Sequence, residues 1–549
     1  MAFVAAMNSP ALTKEGVKGS DVYTEAGVGD LRVTFFTQLV RGLSQKEITK
    51  NVTSILATSS FVQIQDLVVM AFQTRDVRGG KGERMLFYHM LSEILNQCPG
   101  WAYDLLKLVP EYGCWKDMWV MYSMCPGVQK SIDTVVLEQF LLDQESEKPS
   151  LLIKWLPREG TKDDLLARHF ADIFFPETPS KMGYRMRRYR KCLSFLNKKL
   201  NTTEINMCGK TWAEIHPEHV PGRLMKRNKL AFFNQKKSHG EIKIRYPGNF
   251  DREECAEHFQ KLLKDVKEGK VVMKGGHTTM PHEHIHEILY NRRLSEEEEA
   301  VIQGQWEAIR AETLKAGGLG KVVPMCDFSG SMDGVPKEVS LALGILISEV
   351  ATPAFKDHIL TFDSTPTWHS FVGKKDIVEK VRSTGHIGQG LSTNFQLAAD
   401  LILKKLVEHK VAPEDAPTDL LVLTDMGFDQ ASLSTRSYHN VPDQTQKWQT
   451  HFQMIRENFE RLGYTPPRIV CWNLRAEYND YHAKAHEVGV VQLSGWSPSA
   501  LKAIQGEGIV VETPYQGMRK ILDDERYNRV REIVRKFFQV NATDVLRSA

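Results

Sequence analysis

Two apolar runs that each end on an aspartate constrain this chain more than any other feature. Lys321 to Cys326 leads into Asp327-Phe328-Ser329-Gly330-Ser331, and Asp419 to Thr424 leads into Asp425. Short runs that are apolar at successive positions read as strands covered on both faces. His358 to Phe362, Thr367 to Phe371, Arg468 to Asn473 and Val490 to Leu493 are further strand candidates, most of them short apolar runs with β-branched residues. Helical stretches separate them at Pro336 to Val350, Asn394 to His409, Thr445 to Leu462 and Ser499 to Ile504. The alternation predicts a mainly parallel, doubly wound α/β sheet with helices on both faces.

In such a sheet, ligands gather at the carboxyl edge of the strands. Asp327, Ser329 and Ser331 place one carboxylate and two hydroxyls at alternate positions of one turn, which Gly330 allows to close tightly. The loop Gly388-Gln389-Gly390-Leu391-Ser392-Thr393-Asn394 leads into a helix and brings Thr393 to the same edge, as the second apolar run brings Asp425. Hard oxygens of this kind suit a divalent cation such as Mg²⁺. Helix capping by the same Asp and Ser residues is the alternative reading of any one of these turns.

The set Asp327, Ser329, Ser331, Thr393 and Asp425 resembles the metal-ion-dependent adhesion site of von Willebrand factor A domains, with all five positions filled in the family's order. The resemblance implies a magnesium ion held by hydroxyls and a carboxylate, with a partner's carboxylate completing its shell. One departure is Thr424-Asp425-Met426, where many relatives carry Gly after the Asp.

At 549 residues the chain exceeds a single core, since domains run to about 100–200 residues. From about Asp30 to Glu299 the periodicity is helical, with short breaks at Pro99-Gly100, Pro110-Glu111-Tyr112-Gly113 and Pro126-Gly127. This predicts an all-α stack of helical hairpins, a HEAT-like helical-repeat domain over 30–315, after a flexible N-terminus at 1–29. The glycine-rich run Ala316-Gly317-Gly318-Leu319-Gly320 marks the boundary to an A-like domain at 321–515. Met518 to Gln539 reads as one amphipathic helix within a C-terminal segment, 518–549, with packing against the N-terminal half as its expected role. The eight cysteines form no Cys-x-x-Cys pair, and no run of apolar residues reaches the length of a membrane span. Free thiols in the cytoplasm, or in the nucleus, are the expectation.

Net charge is only +3, yet Lys181 to Tyr246 alone carries +13. Arg187, Arg188, Arg190, Lys191, Arg223, Lys226, Arg227 and Lys229 form its densest parts, with Tyr184, Tyr189, Phe232 and Phe233 interleaved. Cations for phosphates beside rings for unpaired bases point to single-stranded or structured small RNA. A solvated basic face, or one that binds an acidic surface, is the plainer reading. Upstream, Arg75-Asp76-Val77-Arg78-Gly79-Gly80-Lys81-Gly82-Glu83-Arg84 opens a helix whose first amides could hold a phosphate beside Arg78, Lys81 and Arg84. It is not a P-loop, because Arg75 stands where the first glycine should be and Gly82 where a hydroxyl is needed.

A helical half containing this arginine-glycine run ahead of an A-like domain resembles the Ro ribonucleoprotein (TROVE) architecture, which implies a helical ring that binds small RNAs. A closer resemblance, to an uncharacterised family known only as a domain of unknown function, includes Tyr112 to Asp117, Thr424 to Asp429 and Cys471 to Arg475. His282-Glu283-His284-Ile285-His286 matches the two-histidine pattern of zinc proteases, but it opens a helix behind Pro281 and no third ligand is marked out. No nucleophile with a base stands out, so a non-enzymatic protein is expected: RNA on the helical half, an acidic protein partner on the metal. A protein scaffold without an RNA ligand is the alternative, and a metal-dependent phosphoesterase would need more carboxylates than this site offers.

Overall fold

The computed structural model describes residues 11–177, 182–273, 275, 278–291, 293–315, 317–362, 366–385, 387, 395–428, 451–505 and 512–548. They form two compact units. One comprises Met1–Glu47, Gly276–Leu294 and Ile302–Glu525, the other Ile48–Gly275, Ser295–Val301 and Arg526–Ala549. Strands β1 (Thr13–Glu15) and β2 (Asp21–Tyr23) make one hairpin, and β3 (Gln235–Ser238) and β4 (Glu241–Ile244) make another. A six-stranded sheet consists of β5 (Val322–Cys326), β6 (His358–Thr361), β7 (Thr367–Ser370), β8 (Asp419–Thr424), β9 (Arg468–Asn473) and β10 (Val490–Ser494).

All six strand candidates of the C-terminal half therefore form strands. Their order is β10-β9-β8-β5-β6-β7, parallel throughout except for the antiparallel edge strand β7. Chain order runs outward from β5 to β6 and β7, then crosses back to β8 and leaves in the other direction. The sheet thus reverses direction between β5 and β8, the place where an open α/β sheet leaves a crevice at its carboxyl edge. Pro324 is tolerated inside β5 because β6 begins to pair only at Met325, so the strand has one neighbour at the proline.

Alternate side chains of the sheet enter two different layers, as strands buried on both faces require. Val323, Met325, Leu420, Val422, Ile469 and Cys471 pack with Phe395, Leu403, Phe452 and Phe459 from helices Phe395–Glu408 and His451–Arg461. The opposite face carries helix Val335–Val350, whose Gly344 lies so close to the sheet that a Cβ would fall 2.4 Å from Cys326 Sγ. On that helix Glu349 accepts from Trp306 Nε1 at 2.9 Å and from Lys380 Nζ at 2.7 Å, and the same ammonium reaches Asp357 at 2.7 Å. The edge at β10 is covered by helix Pro514–Leu522, opened by a Thr513–Gln516 capping box, and by helix Leu31–Gln38, whose Thr37 bonds Gln492 at 3.1 Å.

The segment read as a flexible N-terminus carries, from residue 11 on, the β1–β2 hairpin and the helix Glu25–Val28. Asp480, 2% exposed, holds the hairpin by accepting from Lys14 Nζ at 3.1 Å and from Val17 N at 2.9 Å.

The second unit is built from helices, including Phe61–Arg75, Arg84–Gln97, Ala102–Tyr112, Gln129–Glu145, Met182–Leu200 and Phe250–Lys267. Pro110, expected to break the chain, lies inside the last turn of Ala102–Tyr112, and the helix is capped only at Gly113. Burial of Leu105, Leu106, Leu108, Val109 and Tyr112 on one side outweighs the lost bond. At the centre of this unit Arg75 Nε meets Asp117 at 2.8 Å, and Tyr88 donates to the other oxygen at 2.6 Å. The single helix expected over Met518 to Gln539 is two: Pro514–Leu522 ends at Asp523, and Asn528–Ser548 begins after a short 3-10 turn. This last helix packs within the helical unit, with Phe537 stacked on Trp101 at 5.6 Å and Arg526 and Tyr527 bonded to the buried Asp76.

Candidate metal centre and nucleic-acid interface

Asp327 and Asp425 follow β5 and β8 directly, so the two neighbouring strands at the reversal point deliver both carboxylates to one place. Both residues are fully buried, as is Ser329, while Ser331 is half-buried. Asp327 Oδ1 accepts from Ser329 N at 2.9 Å, and its Oδ2 accepts from Thr424 Oγ1 at 2.8 Å. Ser329 Oγ and Ser331 Oγ lie 3.1 Å apart. Asp425 Oδ1 accepts from Gly427 N at 3.0 Å, whereas its Oδ2 is buried with no hydrogen-bond partner among the described residues. Burial first, and the charge of Asp425 second, push the Asp327 carboxyl up to about 7. Two carboxylates buried against each other favour a cation between them. Thr393, the fifth residue of the set, lies outside the described residues.

The turn after β8 accounts for the departure at Met426. This residue takes φ +72°, the left-handed region that glycine enters most easily. Its N–H donates to Thr424 Oγ1 at 3.2 Å, and its carbonyl accepts from His482 Nε2 at 2.9 Å. Gly427 follows because a Cβ there would lie 2.7 Å from the Tyr478 ring.

The mouth of the site contains groups that the sequence did not mark. Lys18, on the loop between β1 and β2, donates to Ser331 Oγ at 3.2 Å across a separation of 313 residues. Arg475 donates to the Ser331 carbonyl, and Tyr478 stands under the Lys18 ammonium at 5.5 Å from its ring centre. Thr424 could have been found, since it precedes Asp425 on the strand. Lys18 and Arg475 carry no local signal.

The two-histidine motif turns its side chains to different partners. His282 is buried edge-on against Trp496 at 5.1 Å, and His286 bonds Glu338 at 3.0 Å. No cluster of three His, Cys, Asp or Glu side chains that could hold a metal occurs among the described residues; Asp327, Asp425 and the two serines instead combine carboxylates with hydroxyls.

The basic residues are distributed unevenly between surface and interior. Arg187, Arg188, Arg190, Lys191, Arg223 and Arg227 are exposed, Lys226 is half-buried and Lys229 is buried. Arg190 is paired with Glu159, and the Arg188 guanidinium lies over Phe175 at 4.9 Å. Of the interleaved rings only Tyr184 is exposed. Tyr189 donates to the Pro157 carbonyl from a buried position, and Phe232 and Phe233 belong to a core cluster. Helix Met182–Leu200 nevertheless presents Tyr184, Arg187, Arg188, Lys191, Phe195 and Lys198 at three- and four-residue spacing, all of them exposed. Phe195 and Lys198 were legible as members of that stripe from spacing alone.

Arg78 and Arg84 are exposed, but Lys81 is buried, and burial pushes its ammonium down to about 7. The amides that a phosphate would need are engaged within the loop: Lys81 N donates to Gln73 O at 3.0 Å, Gly82 N to Asp76 O at 3.1 Å and Glu83 N to Thr74 O at 2.8 Å. Gly80 is required by this close packing, since a Cβ there would lie 1.9 Å from the Gln73 carbonyl.

Residues 321–547 match the model of a family described as a domain of unknown function, DUF7788. The chain is also similar to "Uncharacterized protein L728" of Acanthamoeba polyphaga mimivirus, with 27% identity over 511 residues that cover 87% of this chain and 82% of the viral protein. That similarity extends well beyond the family match, into the helical unit. Among the described residues no helix is long and apolar enough to cross a membrane.

Proposed function

We propose that this protein is a non-catalytic docking protein in which a von Willebrand A-like site holds a divalent cation, and that its helical unit binds RNA. The Oδ2 of Asp425, buried without a hydrogen-bond partner among the described residues and beside the buried Asp327, carries the first part, because such a pair is costly without a counter-charge. Asp327, Ser329, Ser331 and Asp425 would hold the ion, with Thr393 as the fifth group, and all are hard oxygen donors that fit Mg²⁺. When bound, the ion offers an open position to a carboxylate of an acidic protein partner. Asp327 and Thr424 lock each other's orientation, and the Met426 turn aims Asp425 at the same point. Titrating the full chain with Mg²⁺ in a thermal-unfolding assay tests this. The wild type is expected to gain stability and Asp327→Ala to gain none; equal gains would refute the site.

The stripe on helix Met182–Leu200 supports the RNA part, since it sets two exposed rings among four cations on one helix face. The ring of HEAT-like hairpins implied by the Ro resemblance belongs to the same proposal. In a mobility-shift assay with single-stranded RNA, Arg187→Ala with Lys191→Ala should weaken binding and flatten its salt dependence by about two charges. The burial of Phe232, Phe233 and Tyr189 favours the second reading, a polypeptide scaffold, and no shift by the wild type would favour it further.

A further inference from the structure

The β1–β2 hairpin delivers a cation of its own to the proposed metal site. Its loop, Gly16-Val17-Lys18-Gly19, closes through Gly16 N to Ser20 O at 2.7 Å and Gly19 N to Gly16 O at 3.0 Å, with Gly19 at φ +87°. Four further contacts fix it on the segment 479–481. Lys14 Nζ bonds Asn479 O at 2.9 Å and Asp480 Oδ1 at 3.1 Å, Val17 N bonds Asp480 Oδ2 at 2.9 Å, and Tyr23 N bonds Tyr481 O at 2.7 Å. Gly16 is pressed onto the same carboxylate, since a Cβ there would lie 2.8 Å from Asp480 Oδ2. So placed, the hairpin sets the Lys18 ammonium 3.2 Å from Ser331 Oγ, with the Tyr478 ring beneath it.

We infer that Lys18 and a divalent cation are alternative occupants of Ser331 Oγ, so that the N-terminal hairpin is an intramolecular competitor for the metal site. This rests on the reading of Asp327, Ser329, Ser331 and Asp425 as metal ligands. Mg²⁺ sits about 2.0–2.1 Å from its oxygen ligands. An ammonium kept on the same hydroxyl would then stand within about 5 Å of a doubly charged ion. The two cations repel, and one must leave. Metal binding therefore requires Lys18 to swing away from Ser331, while the loop backbone stays anchored through Asp480. The competing group is part of the chain, so its local concentration does not fall on dilution.

The experiment measures Mn²⁺ affinity of the full chain by electron paramagnetic resonance for the wild type, Lys18→Met and Lys18→Arg. Met keeps the apolar stem over Tyr478 and removes the charge; Arg keeps the charge. Lys18→Met is expected to bind Mn²⁺ on the order of tenfold more tightly than the wild type, with Lys18→Arg near the wild type. As a second readout, trypsin should cut after Lys18 faster in the wild type once Mn²⁺ is added, relative to its other sites. Equal or weaker binding by Lys18→Met, or unchanged cleavage after Lys18, overturns the competition while the metal reading stands. No Mn²⁺ binding by the wild type or by Lys18→Met removes the metal reading and the competition together.

Discussion

Replacing Asp425 by Asn separates the cost of the buried carboxylate pair from its use. Asn keeps the size of the side chain and the oxygen that accepts from Gly427 N, and it removes one of the two buried like charges. The Asp327 carboxyl stands at about 7 against an ordinary 3.8, a rise of about 3 units, or about 4 kcal/mol at about 1.4 kcal/mol per unit. Burial is the larger cause and the Asp425 charge the next; relieving two like charges at close range is worth on the order of 1–2 kcal/mol. Without metal at about pH 8, Asp425→Asn should therefore be more stable than the wild type, by about 2–8 °C in the melting of a unit this size. The order reverses with Mg²⁺: the wild type gains about 2.7 kcal/mol at a hundredfold excess over its Kd, and the variant gains little. The sign with pH follows from proton binding. Native Asp327 retains a proton that the unfolded chain releases from about pH 4, so metal-free stability falls as pH rises from about 4 to about 7, and the variant falls less steeply. Scanning calorimetry in EDTA and in Mg²⁺ is the assay. A lower melting temperature for Asp425→Asn in EDTA, or the same Mg²⁺ gain in both proteins, would show the reasoning to be wrong.

Three further outcomes are expected. Gly344→Ala drives a methyl group against Cys326 Sγ and should cost about 1–3 kcal/mol in urea unfolding, with Cys326→Ala restoring most of the loss. Lys380→Met strips Glu349 and Asp357 of their shared ammonium and should cost about 3–5 kcal/mol, far more than the double change that also replaces Glu349 by Gln. His482 is held neutral, its imidazole pushed down to about 4 by burial, while the unfolded side chain titrates near 6.5. Its contribution is full above about pH 6.5 and is lost as pH falls towards 4, by up to about 3 kcal/mol, so His482→Phe should flatten the acid limb of a stability–pH curve.

Strands β5, β8, β9 and β10 were legible because each is a short, mainly apolar run buried on both faces, whereas the edge strand β7 is largely exposed. Predicted ends at Cys326, Thr424 and Asn473 coincide with the observed ones. Asp327 and Asp425 were legible for the same reason, as the first polar residues after such runs. What escaped were groups set by distant segments of the chain. Lys18 reaches Ser331 only because Asp480 anchors the hairpin, and neither residue is near the other or the site in sequence. The loop at Lys81 was read from its composition, whereas its amides are used by Gln73, Thr74 and Asp76, whose carbonyls no local pattern reveals. Pro110 misled because a proline in the last turn removes only one bond, and five buried side chains keep that turn wound.

The tethering of Arg526 and Tyr527 to Asp76 bears on how the chain is made. Separated from Asp76 by 450 residues, Arg526 leaves the ribosome only after the whole intervening chain, the sheet included, has been translated. Until then the buried Asp76 has neither of these partners, and Trp101 lacks the Phe537 that stacks upon it. The helical unit, although most of its helices precede the sheet, therefore cannot close until the sheet has been translated. A nascent chain stalled after the sheet would expose that gap to chaperones, and fragments cut at the boundary between the two textures would carry it permanently.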